Sequence, residues 1–453
     1  MREDYGDRIV WSSAEGRADF TLLSLLDDIA TQLGHAGLRT LAPAAKDEQV
    51  RALVAEAPTL VVLDNYETIA DEEKKRIESW FKSAHCSALF TSRPKVKGTV
   101  FVPLSAMSRE EADEFLSLVT GQTQDTQIFT ADVRRRIYET AEANPFVMQW
   151  VVGQIDEAQA PDEVLEELSK GKGDAAARIF DRSFNILDDD GRDALLALSL
   201  FAPSATRAAL AKVAGFDEGR VKDAIKNLNR LWLVKVLNEH RRFAVEGLTR
   251  SMAAARLSKD ERDGELRRRF VAYFLRFAEE HKDRTPENYD ALEDEKENLL
   301  GTADAAFASE DWRSVMGMAY VLANPMSGML GVRGYWDEAT RLGEQALVSA
   351  RSAEDVAEIA GLSHNLAVMY QKRGELTDAR RLYGESLEIK KRLGDQSGVA
   401  ITLHQLGRLA EDDGDKAEAA RLFRESLSIF ERLRSPNAEK ARKSLARVES
   451  EVS

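Results

Sequence analysis

The sequence predicts a multidomain chain, α/β in its first part and all-α in its last. Three features carry that expectation. Leu60–Leu63 is an unbroken apolar run ending in Asp64, with strand-like and helix-like stretches alternating around it. Between Ala175 and Leu257, three short helical patterns lead into a small hairpin pattern. From about Arg262 the pattern is helical throughout and recurs every 40 residues.

At 453 residues, two to four domains are expected. A net charge of −15 argues against a dedicated binder of nucleic acid or anionic membranes, without excluding a local basic face. The single cysteine, Cys86, rules out a disulfide framework and fits a reducing cytosol. MREDYGDRIV lacks the apolar core of a secretory signal, and the stretch around Ala194–Ala202 is too short to span a bilayer. The expectation is a cytoplasmic protein with no membrane partner.

In chain order, Arg8–Ser12 (RIVWS) reads as a strand and Asp19–Leu33 as an amphipathic helix. Glu48–Glu56 is a second helix, leading into the apolar run TLVVLDNYE. That run has the continuous hydrophobicity of a strand buried on both faces. It delivers Asp64 to the carboxyl edge, where open α/β sheets place ligands. An acid so placed is the pattern of a Walker B segment, which holds Mg2+ beside a nucleotide; an ordinary core strand ending in a turn has the same look. Helix Glu72–Ala84, strand Ala88–Thr91 (followed by Ser92-Arg93-Pro94) and a fourth strand Val100–Pro103 complete the predicted sheet.

Ser108 and Glu111 form a capping box that opens a helical run to about Leu168. Within it, Ala143-Asn144-Pro145-Phe146 must end or kink a helix. The segment Ala175–Leu257 has the order of a winged helix: helices Ala194–Phe201, Arg207–Val213 and Glu218–Leu231, then apolar Leu231–Leu237, a charged turn Asn238–Arg242 and Phe243–Val245. Lys222, Lys226 and Arg230 make one basic stripe on its third helix, which reads as a DNA-binding face or, in so acidic a chain, as a solvated one.

Gly334, Gly374 and Gly414 are spaced 40 apart, as are Ala339, Ala379 and Ala419, and Leu347, Leu387 and Leu427. Leu366 pairs with Leu406, and Tyr383 with Phe423, at the same interval. Each unit reads as two helices with the glycine at the turn and the alanine where the helices press closest. Asp311-Trp312 and Tyr335-Trp336 resemble the turns of less regular earlier units.

This order resembles the STAND signalling ATPases, specifically bacterial NB-ARC-type proteins with C-terminal tetratricopeptide repeats. TLVVLDNYE resembles the family's Walker B, LFTSR its sensor strand, and ANPF its Gly-x-Pro turn, with Ala143 where a glycine-like residue is usual. The resemblance implies a truncated P-loop-NTPase-like parallel sheet (1–107), a helical lid (108–168), a winged helix (169–262) and a tetratricopeptide-type α-solenoid (263–453). It further implies ATP or ADP and Mg2+ as cofactors, with Asp64 on Mg2+, Arg93 sensing the terminal phosphate and Pro145 against adenine. In the repeats, Leu366, Ala367, Tyr370, Ala379 and Tyr383 fit the tetratricopeptide packing pattern.

Two departures stand out. No Gly-x4-Gly-Lys-[Ser/Thr] loop precedes RIVWSSA or occurs elsewhere, and Gly171-Lys172-Gly173 has neither its spacing nor a preceding strand. Phosphate binding in this fold needs helix-terminal N–H groups and that lysine. Where the family has His-Pro or His-Asp, the chain has Glu246-Gly247, and a carboxylate repels a diphosphate. Asn65 cannot act as a general base, and Glu67 is a candidate to position a water, although nothing in the sequence orients it. The missing loop's strand would lie mid-sheet, so the neighbouring strands must close up, take a partner's strand, or belong to a fragment of a longer protein. The fragment is the favoured expectation.

The predicted function is therefore a STAND-type nucleotide switch that senses a protein or peptide through its repeats and passes from a closed form to an open, oligomerising one. This chain is expected neither to hydrolyse nor to bind ATP tightly. His364-Asn365 and His404-Gln405 hold equivalent places on successive helices and are the candidate groove residues. They are too far apart, at about 10 Å per repeat, to share a zinc ion. A non-enzymatic tetratricopeptide scaffold and a DNA-binding transcription regulator are the rival readings.

Overall fold

The computed structural model describes residues 2–14, 17, 20–170, 174–237 and 241–450. The Gly171-Lys172-Gly173 cluster, the turn tip 238–240, Asp19 and Glu451 lie outside them. The chain divides into two compact units, one formed by residues 1–99 with 278–453 and the other by 100–277.

The first unit opens with α1 (Arg2–Tyr5), β1 (Ile9–Ser13), α2 (Leu22–Gln32), a 3-10 turn (Ala36–Thr40), α3 (Pro43–Ala55), β2 (Leu60–Asp64), α4 (Asp71–Ser83) and β3 (Ser87–Phe90). Helix α2 starts at Thr21, whose side chain accepts from the Ser24 N–H in a capping box. Helix α3 begins earlier than its periodicity suggests because Pro43 sits at its first position, where a missing N–H costs nothing. The three strands are parallel in the order β1-β2-β3, with Val10 opposite Val61 and Leu63 opposite Phe90. Val10, Val61 and Leu63 face a core built with Leu25, Leu26 and Ile29 of α2, Val50 and Val54 of α3, and Ile77 and Trp80 of α4. Alternation turns Trp11, Val62 and Leu89 to the other face, where Trp11 and Leu89 are exposed. The outer edge of β1 is closed by Gln32, whose amide accepts from the Trp11 N–H at 2.9 Å and donates to the Trp11 carbonyl at 2.8 Å, as a neighbouring strand would.

The fourth predicted strand does not form. Residues 100–103 carry no strand pairing, and Val100 and Val102 are 93% and 73% exposed. Their β-prone sequence has no partner ladder among the described residues, and an isolated strand has no hydrogen bonds to hold it. Nor does the sheet close up, because among the described residues β3 has β2 as its one strand neighbour.

The second unit contains α5 (Arg109–Thr120), α6 (Ala131–Thr140), α7 (Pro145–Ala158), α8 (Pro161–Lys170), α9 (Ala175–Ile186) and α10 (Asp189–Leu198). Then come β4 (Ala205–Thr206), α11 (Arg207–Ala214), α12 (Glu218–Arg230), β5 (Lys235–Leu237), β6 (Arg242–Ala244) and α13 (Gly247–Leu257). The short strands form an antiparallel sheet in the order β4-β6-β5. The Ser108–Glu111 capping box is present, with reciprocal bonds of 3.2 and 2.8 Å.

After α14 (Asp263–Glu280) the chain is helical: α15 (Pro286–Asp294), α16 (Lys296–Ala308), α17 (Trp312–Leu322), α18 (Met329–Arg333), α19 (Trp336–Ser352), α20 (Val356–Arg373), α21 (Leu376–Leu393), α22 (Gln396–Asp412), α23 (Lys416–Arg432) and α24 (Asn437–Ser450). The 40-residue register is structural. Gly334, Gly374 and Gly414 end α18, α20 and the α22 turn at φ of 83°, 81° and 81°, a left-handed backbone that only glycine adopts freely. Ala339, Ala379, Ala419, Tyr383 and Phe423 are fully buried. A second series runs through the turns between units, where Glu354, Gly394 and Arg434 all have positive φ. Because left-handed L-residues cost about 1–2 kcal/mol, Glu354→Gly and Arg434→Gly should each raise stability by about 0.5–1 kcal/mol, less than the full strain because glycine also loosens the unfolded chain. Denaturant midpoints check this, with Gly394→Ala as the destabilising counterpart: no atom lies within 4 Å of its added Cβ, so only strain is measured.

Candidate functional site

The carboxyl edge of the parallel sheet gathers the predicted site residues of the first unit. Strands β2 and β3 run in register, so Asp64 and the Thr91–Arg93 segment leave adjacent strand ends. The Thr91 hydroxyl donates to Asp64 Oδ1 and accepts from the Asn65 N–H at 3.0 Å, while the Tyr66 N–H bonds the Thr91 carbonyl at 3.0 Å. Asn65 takes a left-handed conformation (φ 56°), which turns the chain sharply after the strand. The carboxylate at this edge is thus held by a threonine two residues before the arginine singled out from sequence. The motif LFTSR contained Thr91 in plain view, but its phase relative to Asp64 depends on strand register.

Arg93 extends from the same edge with its side chain 93% exposed, its Nε 3.5 Å from Glu67 Oε1. A pair so exposed contributes little to stability. The other carboxylate oxygen, Glu67 Oε2, and the nearby-in-sequence Ser92 Oγ are buried without a hydrogen-bond partner. Orphaned buried oxygens of this kind are ordinarily satisfied by water or a bound group. Lys74 also reaches this loop, and it is engaged by the Glu67 carbonyl and by Asp71, each at 3.2 Å.

These residues do not by themselves fit Mg2+ with a nucleotide. Asp64 is one carboxylate with one oxygen already engaged, and among the described residues no cluster of three His, Cys, Asp or Glu side chains could hold a metal. A phosphate would further need converging N–H groups and an unengaged lysine, and the described residues of β2, β3 and the loops after them supply neither.

Pro145 lies in the second unit at the first position of α7. Asn144 caps that helix, accepting from the N–H groups of Phe146 and Val147, and the two residues before it, Glu142 and Ala143, have φ of 51° and 59°. Ala143 occupies the left-handed conformation that explains a preference for glycine there. Glu246 precedes α13 and pairs with Lys235 at 3.1 Å. On the basic stripe, Arg230 pairs with Glu157 at 3.2 Å, while Lys222 and Lys226 are exposed.

The two repeat histidines are tied into helix packing. His364 Nδ1 lies 3.1 Å from Thr402 Oγ1 and its ring meets Tyr383 edge-on at 5.4 Å. His404 Nε2 lies 3.2 Å from Ser444 Oγ and its ring meets Phe423 at 5.2 Å. Burial, with Lys390 nearby, lowers His364 to about 3, and burial with the Arg408, Arg447 and Lys440 cations lowers His404 to about 4. Both rings are neutral near pH 7 and act as inter-repeat spacers. Asn365 and Gln405 are half-buried beside them, with Gln405 Oε1 3.5 Å from Arg408.

Residues 358–432 match the family model for the tetratricopeptide repeat, so the chain carries repeats of that type. It matches no curated protein. Among solved structures, it is similar to a Signal Transduction ATPase with Numerous Domains (STAND) protein with a tetratricopeptide repeat sensor from Pyrococcus horikoshii, over 98% of this chain and 74% of that one, at 12% identity and a TM-score of 0.44. It is also similar to BtubC from P. vanneervenii, over 41% of this chain and 83% of that one, at 21% identity and a TM-score of 0.27. A kinesin light chain with nearly identical tetratricopeptide-like repeats from Podosopora anserina overlays 40% of this chain and 85% of its own, at 18% identity and a TM-score of 0.32.

Proposed function

We propose that this chain is a regulatory protein of the STAND type, which senses a protein or peptide through its tetratricopeptide repeats and does not itself turn over ATP. One observation carries this reading: Asp64, Thr91 and Arg93 stand together on adjacent strand ends, in a chain that also bears the repeats. Among the described residues β3 pairs with β2 alone, and the resemblance puts a loop-bearing strand at its other edge. The order of α10, β4, α11, α12, β5 and β6, with its three-stranded antiparallel sheet, supports a winged helix between the lid and the repeats. Stacked helix pairs present a surface suited to protein or peptide.

Titration calorimetry with Mg-ATP and with Mg-ADP tests the nucleotide part. No saturable binding is expected, because the phosphate cradle is incomplete, and micromolar affinity would overturn that. For sensing, a protein captured by the chain should be released by Asn365→Ala with Gln405→Ala; capture indifferent to both moves the recognition surface off these helices.

The second reading is a non-enzymatic scaffold. It is favoured by the Thr91 hydroxyl, which engages Asp64 from within the chain. DNA recognition by α12 is the weakest, since Arg230 is already paired with Glu157.

A further inference from the structure

Within the first unit, the α/β layer meets the early helices of the repeat region at a polar seam. Arg39, on the 3-10 turn, has a side chain only 7% exposed and donates to Glu293 at 2.9 Å. Its guanidinium lies 4.4 Å from the centre of the Tyr335 ring, and Tyr335 donates to the same Glu293 at 2.6 Å. Lys296 packs on the Tyr335 ring at 4.4 Å and pairs with Glu338 at 3.2 Å. Thr21, the cap of α2, donates to Asp337, which also pairs with Arg373 at 3.2 Å.

The decisive feature is Gly334. A Cβ there would fall 2.5 Å from the Arg39 carbonyl carbon and 2.8 Å from the Thr40 nitrogen, both backbone atoms. The equivalent glycines, Gly374 and Gly414, have the same φ within 2° and no atom within 4 Å of such a Cβ. Three glycines therefore share the turn, but only the first also serves as a seat for another part of the chain.

We infer that the α/β layer is locked onto the repeat stack at the Gly334 turn, and that layer and repeats move as one body. Here Met329 and Leu330, fully buried in α18, lie beside the 3-10 turn that carries Arg39. The surface left for a partner is then α20–α24. Any nucleotide-linked movement would carry the repeats along with the Asp64 edge instead of parting them at this seam. This seating holds whether or not nucleotide binds.

Hydrogen exchange on the full chain tests it with the three glycines as matched variants. Gly334→Ala should speed exchange at least about tenfold on both sides of the seam, in residues 36–55 and in α18–α19. Gly374→Ala and Gly414→Ala should speed it only in the repeats that hold them. Equal protection of residues 36–55 in all three variants would overturn the inference. If Gly334→Ala does not accumulate as folded protein, Arg39→Ala replaces it; that variant should show the same two-sided loosening at lower amplitude, and an effect confined to residues 36–40 overturns the inference equally.

Discussion

Phe423→Ala is expected to destabilise the repeats by about 3–5 kcal/mol, the range for emptying a fully buried aromatic site. Phe423 has no solvent exposure, and its ring is held between the His404 imidazole at 5.2 Å and the backbone of Gly407. A Cβ on Gly407 would lie 2.7 Å from the Phe423 ring, so the glycine is what lets the aromatic in. Gly407 has no side chain with which to refill the cavity. Stacked repeats are stabilised through nearest neighbours, so the loss should concentrate in α22–α24 while β1–β3 keep their protection. Urea denaturation measures the sum, and hydrogen exchange locates it. A loss below about 1 kcal/mol would mean that the stack is not held through this ring. Tyr383, its counterpart one unit earlier, donates its hydroxyl to Gln371 at 3.1 Å, so Tyr383→Phe should cost only about 1 kcal/mol.

Lys46→Met should have an effect of similar size that depends on pH. Lys46 and Asp27 form an ion pair of 2.6 Å between α3 and α2, with side chains 2% and 9% exposed. Breaking a buried pair by removing one partner costs about 3–5 kcal/mol, because the other charge is left uncompensated. Burial, with Glu338 and Asp337 nearby, pushes Asp27 up to about 7 even with Lys46 present. The folded state therefore binds a proton at Asp27 that the unfolded state has lost above the ordinary carboxylate range. Its contribution to stability is fullest in acid and is lost as pH rises toward 7. Without Lys46 the carboxyl rises further, so the penalty of Lys46→Met should be small near pH 5 and large near pH 8. Asp27→Leu in the same chain should remove most of the penalty at pH 8, since an apolar pair of similar volume avoids the uncompensated charge. A penalty that is flat from pH 5 to pH 8 would show that Asp27 does not carry it.

The repeats were legible because each structural demand selects one residue type. A left-handed turn selects glycine, a close helix approach selects alanine, and the ring site selects Tyr383 or Phe423, so the interval of 40 is visible in the letters. The second left-handed series was not, because its three turns carry Glu354, Gly394 and Arg434, and two of them bear the strain without a residue type that advertises it. The Asp64 edge was legible as far as strand and acid. The Thr91 hydroxyl that holds the acid was not, because the register between β2 and β3 is set by packing over the whole sheet. Val100–Pro103 misled because strand propensity speaks only to local fit, whereas a strand exists only if another strand pairs with it.

By itself the sequence determined the alternation of strands and helices around Asp64, the cap at Ser108, the helix break at Pro145, and the repeat unit with its glycine turns. These depend on periodicity and on the conformational limits of single residues, which are local properties. Only the tertiary structure decided that residues 1–99 join residues 278–453 in one unit, that Gly334 differs from Gly374 and Gly414, and that His364 and His404 brace helices. Each of those depends on which distant surface arrives at a residue, and the contact between Arg39 and Tyr335, 296 positions apart, leaves no periodic trace along the chain.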